Sequence, residues 1–199
     1  MVMRNFTVGL VLTFLLGAVW GAAEPIDFNE YTIQGVSQQD RTGTASIHDG
    51  GATLELSGNL WKYIEFEHGE LLNIPPALAI NFDFRSDEEG EIQGIMLGTD
   101  VTPANTFQAY GTQDYGTQLQ PAYTLADEGT YLSYSAPIGQ THEGQSFTAL
   151  TFVGDHDSGG TQISFFSNVE IVPEPGMSVL VGISMLCLMS CRRGSGRQT

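Results

Sequence analysis

Asp155-His156-Asp157 places two carboxylates two positions apart, directly after the apolar run Leu150–Val153 and before Ser158-Gly159-Gly160. Held in a tight turn, carboxylates at that spacing can aim several oxygens at one hard cation, and calcium takes roughly six to eight oxygen ligands. The same residues suit a polar hairpin tip in which Asp bonds its own backbone. Asp27 supplies a further oxygen for a calcium site if the N-terminal part of the domain lies beside this turn. The loop is not an EF-hand, since no Asp-x-Asp-x-Asp-Gly run closed by Glu occurs. A second set of residues suits sugar. Tyr110 and Tyr115 flank Gly111-Thr112-Gln113-Asp114. Aromatic faces offer amphipathic contact area at low entropic cost, and the Gln113 amide can bond hydroxyls. Tyr110, Gln113 and Tyr115 are therefore the candidate carbohydrate-binding residues. Trp61 reads as core, and Tyr63, Tyr123, Tyr131 and Tyr134 are further aromatics with the same chemistry.

Catalytic constellations are missing. Asp87, Glu88, Glu89 and Glu91 form the densest acidic run. A glycosidase needs two carboxylates facing each other across a cleft, which adjacent residues of one Gly-terminated turn do not provide. Glu91 opens an apolar strand, a position from which it can face Asp83. The four histidines show no His-x-x-x-His spacing, and there is no Gly-x-Ser-x-Gly elbow. The chain is read as non-enzymatic, with a small polysaccharide-active glycosidase or lyase, or a matrix protein without ligand, as the alternatives.

The elements that would position these residues read as β throughout. Leu78, Ile80, Phe82 and Phe84 alternate with Asn81, Asp83 and Arg85, the period of a strand with one buried and one wet face. Shorter patterns occur at Thr53–Leu56, Trp61–Phe66, Glu91–Leu97, Thr106–Tyr110, Thr130–Tyr134, Ala149–Val153 and Gln162–Ile171, with Gly- and Asp-rich turns between them. Residues 107–126 read as a long loop or an edge region. No stretch keeps a 3.6-residue period with caps. The expected fold is all-β, an antiparallel β-sandwich of jelly-roll type spanning residues 24–171.

Charge and cysteine narrow the function. Between Glu24 and Glu174 lie all 23 acidic residues and only three basic ones, Arg41, Lys62 and Arg85, a formal charge of −20. Nucleic acid is excluded as a partner, because phosphate binding needs Lys and Arg. Divalent cations and uncharged sugars are favoured. Cys187 and Cys191 are the only cysteines, so residues 24–171 contain neither a disulfide nor a thiolate zinc site.

The two ends read as targeting segments. Arg4, the apolar Phe6–Val19 and the small residues Gly21-Ala22-Ala23 form a secretory signal peptide over residues 1–23. Residues 172–199 open with Val172-Pro173-Glu174-Pro175, continue with the apolar Met177–Met189, and close with Arg192-Arg193. The apolar run is shorter than the ~20 residues of a confident spanning helix. This order resembles the PEP-CTERM sorting signal of exported bacterial proteins. The resemblance implies transient anchoring in the inner membrane, processing by an exosortase, and a final place at the cell surface or in the extracellular matrix.

A second resemblance covers Thr53 to Ile171. Leu54-Glu55-Leu56-Ser57-Gly58-Asn59-Leu60-Trp61-Lys62, Phe82-Asp83-Phe84-Arg85-Ser86, Gly90-Glu91-Ile92-Gln93-Gly94-Ile95, Thr106-Phe107-Gln108-Ala109-Tyr110-Gly111-Thr112-Gln113 and Phe152-Val153-Gly154-Asp155-His156-Asp157 look like jelly-roll modules attached to secreted polysaccharide-degrading enzymes, which are similar to carbohydrate-binding modules. Gln93 and Tyr115 depart from that pattern, standing where it has His and Trp. The resemblance implies an extracellular polysaccharide as the partner.

Overall fold

A computed structural model describes residues 23–66, 71–157 and 160–173. The signal-peptide segment, the apolar run and Arg192-Arg193 lie outside the described residues, and of the sorting motif only Val172 and Pro173 are described, at the end of the last strand. Among the described residues ten strands follow in chain order: β1 Gln34–Gly35, β2 Thr42–His48, β3 Thr53–Glu65, β4 Leu78–Glu88, β5 Ile92–Leu97, β6 Thr106–Tyr110, β7 Thr117–Gln118, β8 Leu132–Ala136, β9 Ala149–Asp155 and β10 Ile163–Pro173. The five-residue helix α1, Ile138–His142, lies between β8 and β9. The architecture is a β-sandwich. Its pairing is antiparallel except at the edge, where β7 runs parallel to β6. That parallel pair falls inside the stretch read from sequence as loop or edge.

One strand serves both sheets. The first half of β3 pairs with β2 and β10, in register Leu54↔Phe166, and its second half pairs with β1 and β9, in register Trp61↔Val153. The first sheet therefore runs β7-β6-β5-β9-β3 and the second β3-β10-β4-β8. The corner falls at Gly58, which faces Gly43 across the ladder. Both have positive φ, +109° and +148°, and a Cβ on Gly58 would run into the Thr42 carbonyl. Only glycine adopts this backbone without strain.

The core fills the space between the sheets because each strand presents every second residue inward. Phe152 of the first sheet meets Phe166 of the second at a ring-centroid distance of 5.2 Å, and Phe28 and Phe84 join them at 5.3 and 5.5 Å. A second, smaller apolar cluster lies on the outer face of the first sheet, with Val36, Trp61, Ile92, Met96 and Val153 at its centre. Loops carrying Val36, Val101 and Tyr115 cover that face. Covered on both sides, β5 and β9 bury every residue, which explains why both read as continuous apolar runs.

His142 ends α1 with its ring between Phe107 and Phe147, at 5.8 and 5.5 Å. Its Nε2 lies 3.1 Å from the Ala104 carbonyl and its Nδ1 2.7 Å from Thr141 Oγ1. A neutral ring satisfies both, donating from Nε2 and accepting at Nδ1 from the hydroxyl. Burial lowers the pKa of His142 below its ordinary value, against a smaller opposing effect of the Ala104 carbonyl. The unfolded chain thus binds this proton more readily. The contribution of His142 to stability is complete above about pH 6.5 and is lost as pH falls through and below that value. Melting temperatures should therefore fall more between about pH 7 and about pH 5 in the wild type than in His142→Gln. Equal slopes in the two proteins would refute this account.

Candidate functional site

Residues singled out by their chemistry gather at one end of the outer face of the first sheet. Asp155 ends β9 on the same face as Val153, beside Trp61 of β3. The Trp61 indole Nε1–H donates to Asp155 Oδ1 at 3.0 Å. Two residues on, the backbone N–H of Asp157 donates to Glu91 Oε2 at 2.9 Å, and the backbone N–H of Glu91 donates to the Asp155 carbonyl at 2.8 Å. The carboxylates of Glu91, Asp155 and Asp157 each place an oxygen within 4.8 Å of the others. Asp155 is only 6% exposed. Burial raises its pKa above the usual carboxylate range, the Trp61 hydrogen bond opposes this, and the charges of Asp157 and Glu91 add to the rise.

Asp27 does not join the cluster. Its carboxylate caps the 3-10 turn Phe28–Glu30, accepting from the backbone of Asn29 at 2.9 Å, and lies against Gly51. Glu91 takes the place expected for it. Nor does Glu91 face Asp83, which belongs to the other sheet, where it bonds Ser133 and Asn168. The partner of Glu91 is set by the β5–β9 register, Ile92↔Asp155, a long-range pairing that no local pattern encodes.

The expected sugar-binding residues are divided. Tyr115 and Gln113 lie beside the acidic cluster. The backbone N–H of Gln113 donates to the Glu91 carbonyl at 3.0 Å, and the Tyr115 ring packs edge-on against Trp61 at 6.3 Å. The buried Gln108 holds this loop, accepting from the Tyr115 N–H at 2.8 Å and donating to the Gln113 carbonyl at 2.6 Å. Tyr115 is a half-buried cover for Trp61 rather than a free platform. Tyr110 points the other way. It is 7% exposed, belongs to the main core, and packs at a tilt against Tyr123 at 5.0 Å. Its hydroxyl donates to Glu128 Oε1 at 3.4 Å. Burial, then the charges of Glu89 and Glu128, push its pKa well above the ordinary phenol value.

The accessible aromatic surface is on the second sheet. Tyr131, immediately before β8, is 40% exposed. The Arg85 guanidinium lies over its ring at 5.1 Å and over the Phe165 ring at 3.8 Å, and pairs with Asp87 at 2.9 Å. Arg85 and Phe165 are direct cross-strand partners. Two residues along each strand lies a polar row. Asp83 accepts from Ser133 Oγ at 2.6 Å and from Asn168 Nδ2 at 2.7 Å. Asn81, Ser135 and Glu170 form the next row, and the depression they share with Asp83 and Ser133 measures about 480 Å³. Asn168 reaches Asp83 because β10 carries a bulge between Ser167 and Glu170, with Asn168 at φ +50°. Bulges re-aim side chains in this way. The wet-face alternation of β4 marked Asn81, Asp83 and Arg85 as outward-facing; the bulge left no sequence signal.

No protein-family model and no curated protein matches the chain. Among solved structures, the chain is similar to the cellulose-induced protein Cip1 (11% identity, 74% of this chain and 95% of that one, TM-score 0.46). It is similar also to a protein crystallised with xylogluco-oligosaccharide (15% identity, 73% of this chain and 39% of that one, TM-score 0.42). A third is the family 30 carbohydrate-binding module of a cellulosomal cellulase of Clostridium thermocellum (13% identity, 77% and 95%, TM-score 0.38).

The two tyrosine environments separate in stability. Tyr110→Ala should destabilise the domain by about 3–5 kcal/mol, as a large core aromatic does. Tyr131→Ala should cost less than about 1 kcal/mol, the scale of an exposed cation–π contact. Urea denaturation distinguishes them, and similar losses in both variants would overturn the assignment of Tyr110 to the core and Tyr131 to the surface.

Proposed function

We propose that this protein is exported to the cell surface or extracellular matrix and binds a neutral polysaccharide on the outer face of its second sheet, without turning it over. The observation that carries the proposal is the exposed Tyr131, with the half-buried Arg85 and Phe165 in its row, beside the Asp83, Ser133, Asn168 and Asn81 side chains. Aromatic groups beside fixed carboxylate, amide and hydroxyl groups suit a ring that is apolar on its face and polar at its rim. The formal charge of −20 over Glu24–Glu174 disfavours anionic chains. The guanidinium that faces this surface is already paired with Asp87. Export rests on the N-terminal segment, and exosortase handling on the Pro-Glu-Pro, apolar and Arg-Arg order of the C-terminal segment.

A polysaccharide array probed with the wild-type protein should give binding that changes little with salt, because no ion pair to the ligand is involved. Tyr131→Ala should weaken binding roughly three- to tenfold while folding normally. An array without binders, or unchanged affinity in Tyr131→Ala, would overturn the proposal. Release of reducing ends from a bound glycan would show an enzyme instead.

Sorting has its own test. The intact mass of protein recovered from the surface of cells with an active exosortase should show loss of the residues beyond about Pro175. A chain ending at Thr199 in those cells would refute processing.

A further inference from the structure

The acidic cluster at the strand ends of the first sheet contains more acceptors than donors. The Trp61 indole satisfies Asp155 Oδ1, the Asp157 backbone satisfies Glu91 Oε2, and Asn59 Nδ2 donates to Asp157 Oδ1 at 2.8 Å. These are the donors given to the three carboxylates among the described residues, and none of them is Lys or Arg. Asn59 is only 8% exposed, and its Oδ1 is buried without a hydrogen-bond partner. That oxygen belongs to the amide whose Nδ2 donates to Asp157, two residues from Trp61 and so on the same face of β3. An orphaned acceptor needs a donor, a water or a cation, and beside three carboxylates a cation answers it and their charge together. The Nδ1 of the adjacent His156 is also buried and unpartnered.

The geometry points to a divalent-cation site of calcium type formed by Glu91, Asp155, Asp157 and Asn59 Oδ1. Calcium–oxygen distances of about 2.3–2.6 Å place two ligands of one ion at most about 4.6–5.2 Å apart. The three carboxylates meet that limit, with oxygens all within 4.8 Å. Oxygen donors from carboxylate and amide, without His or Cys ligation, suit a hard cation. The four ligands come from three segments distant in sequence: the corner of β3, the entry to β5 and the exit of β9. An ion here fastens those segments together and, through the Gln113 N–H on the Glu91 carbonyl, the loop that holds Tyr115 over Trp61. This site and the glycan face lie on different sheets, so each can fail without the other.

Trp61 provides a direct probe, because its indole touches the ligand Asp155. Full-length protein freed of metal with EDTA and titrated with terbium chloride should show terbium emission excited through tryptophan, displaced on adding calcium chloride. Calcium alone should raise the melting temperature. Glu91→Gln and Asp157→Asn should each lose the emission and the thermal shift while keeping the wild-type circular dichroism spectrum. Trp61→Phe should lose the emission but keep calcium binding by calorimetry. Absence of sensitised emission together with identical melting in calcium and EDTA would overturn the site. So would full retention of both signals in Glu91→Gln.

Discussion

The carboxamide of Gln162 holds the corner on which both sheets depend. β3 leaves one sheet for the other at Gly58, and there a side chain joins the backbone ladder. Gln162 Nε2 donates to the carbonyls of Leu56 and Gly58 at 3.2 and 2.8 Å. Its Oε1 accepts from Gln93 Nε2 at 2.7 Å, and Gln93 also reaches the Glu88 carbonyl and the Ser86 hydroxyl. Gln93, Ser86 and Gln162 are fully buried. An unmade hydrogen bond in such a place costs about 1–3 kcal/mol, so the network is worth more in what it prevents than in what each bond adds. It also demands Gly154 beneath it, where a Cβ would run into the Gln162 amide.

The corner decides which surface is open. The segments that follow β1, β5 and β6 fold back over the first sheet. Val36, Val101 and Tyr115 seal that outer face around Trp61. Among the described residues the second sheet receives no such cover, and its outer face keeps the half-exposed Asn81, Asp83 and Arg85 of β4 in contact with solvent. A long ligand therefore finds room on the second sheet. The first sheet retains only its strand ends, where the carboxylates of Glu91, Asp155 and Asp157 meet.

Strand alternation made the fold legible. The period of two in Leu78–Arg85 gave the buried and wet faces of β4 correctly, and the Gly-rich turns separated the strands. Local pattern could not rank the aromatics. Tyr110 and Tyr115 both flank the same Gly111-Thr112-Gln113-Asp114 segment, yet β6 is buried throughout and carries Tyr110 into the core, while Tyr115 covers Trp61. Tyr131 was no more prominent in sequence than its fellows. Its exposure follows from alternation with Ser133 and Ser135 on an edge strand, a pattern that outweighs the appeal of a Gln-bearing turn. The same limit applies to Asp27 and Glu91. Asp27 was chosen on the premise of neighbouring ends, whereas the β5–β9 register put Glu91 at the cluster.

The excess of acid links the two proposed sites. Of the three basic residues between Glu24 and Glu174, Lys62 is bound to Asp40 at 2.6 Å and Arg85 to Asp87 at 2.9 Å. Little positive charge is left to balance the remaining carboxylates. Exposed carboxylates are relieved by water and salt, but Asp155 is buried and can be relieved only by a proton or a cation. A proton answers one carboxylate; it leaves the Asn59 oxygen and the two neighbouring charges as they are. A divalent ion answers all four ligands at once. The same surplus sets the terms on the other sheet, where Asp83, already holding Ser133 and Asn168, and its neighbour Glu170 would repel an anionic polysaccharide but accept hydrogen bonds from an uncharged one.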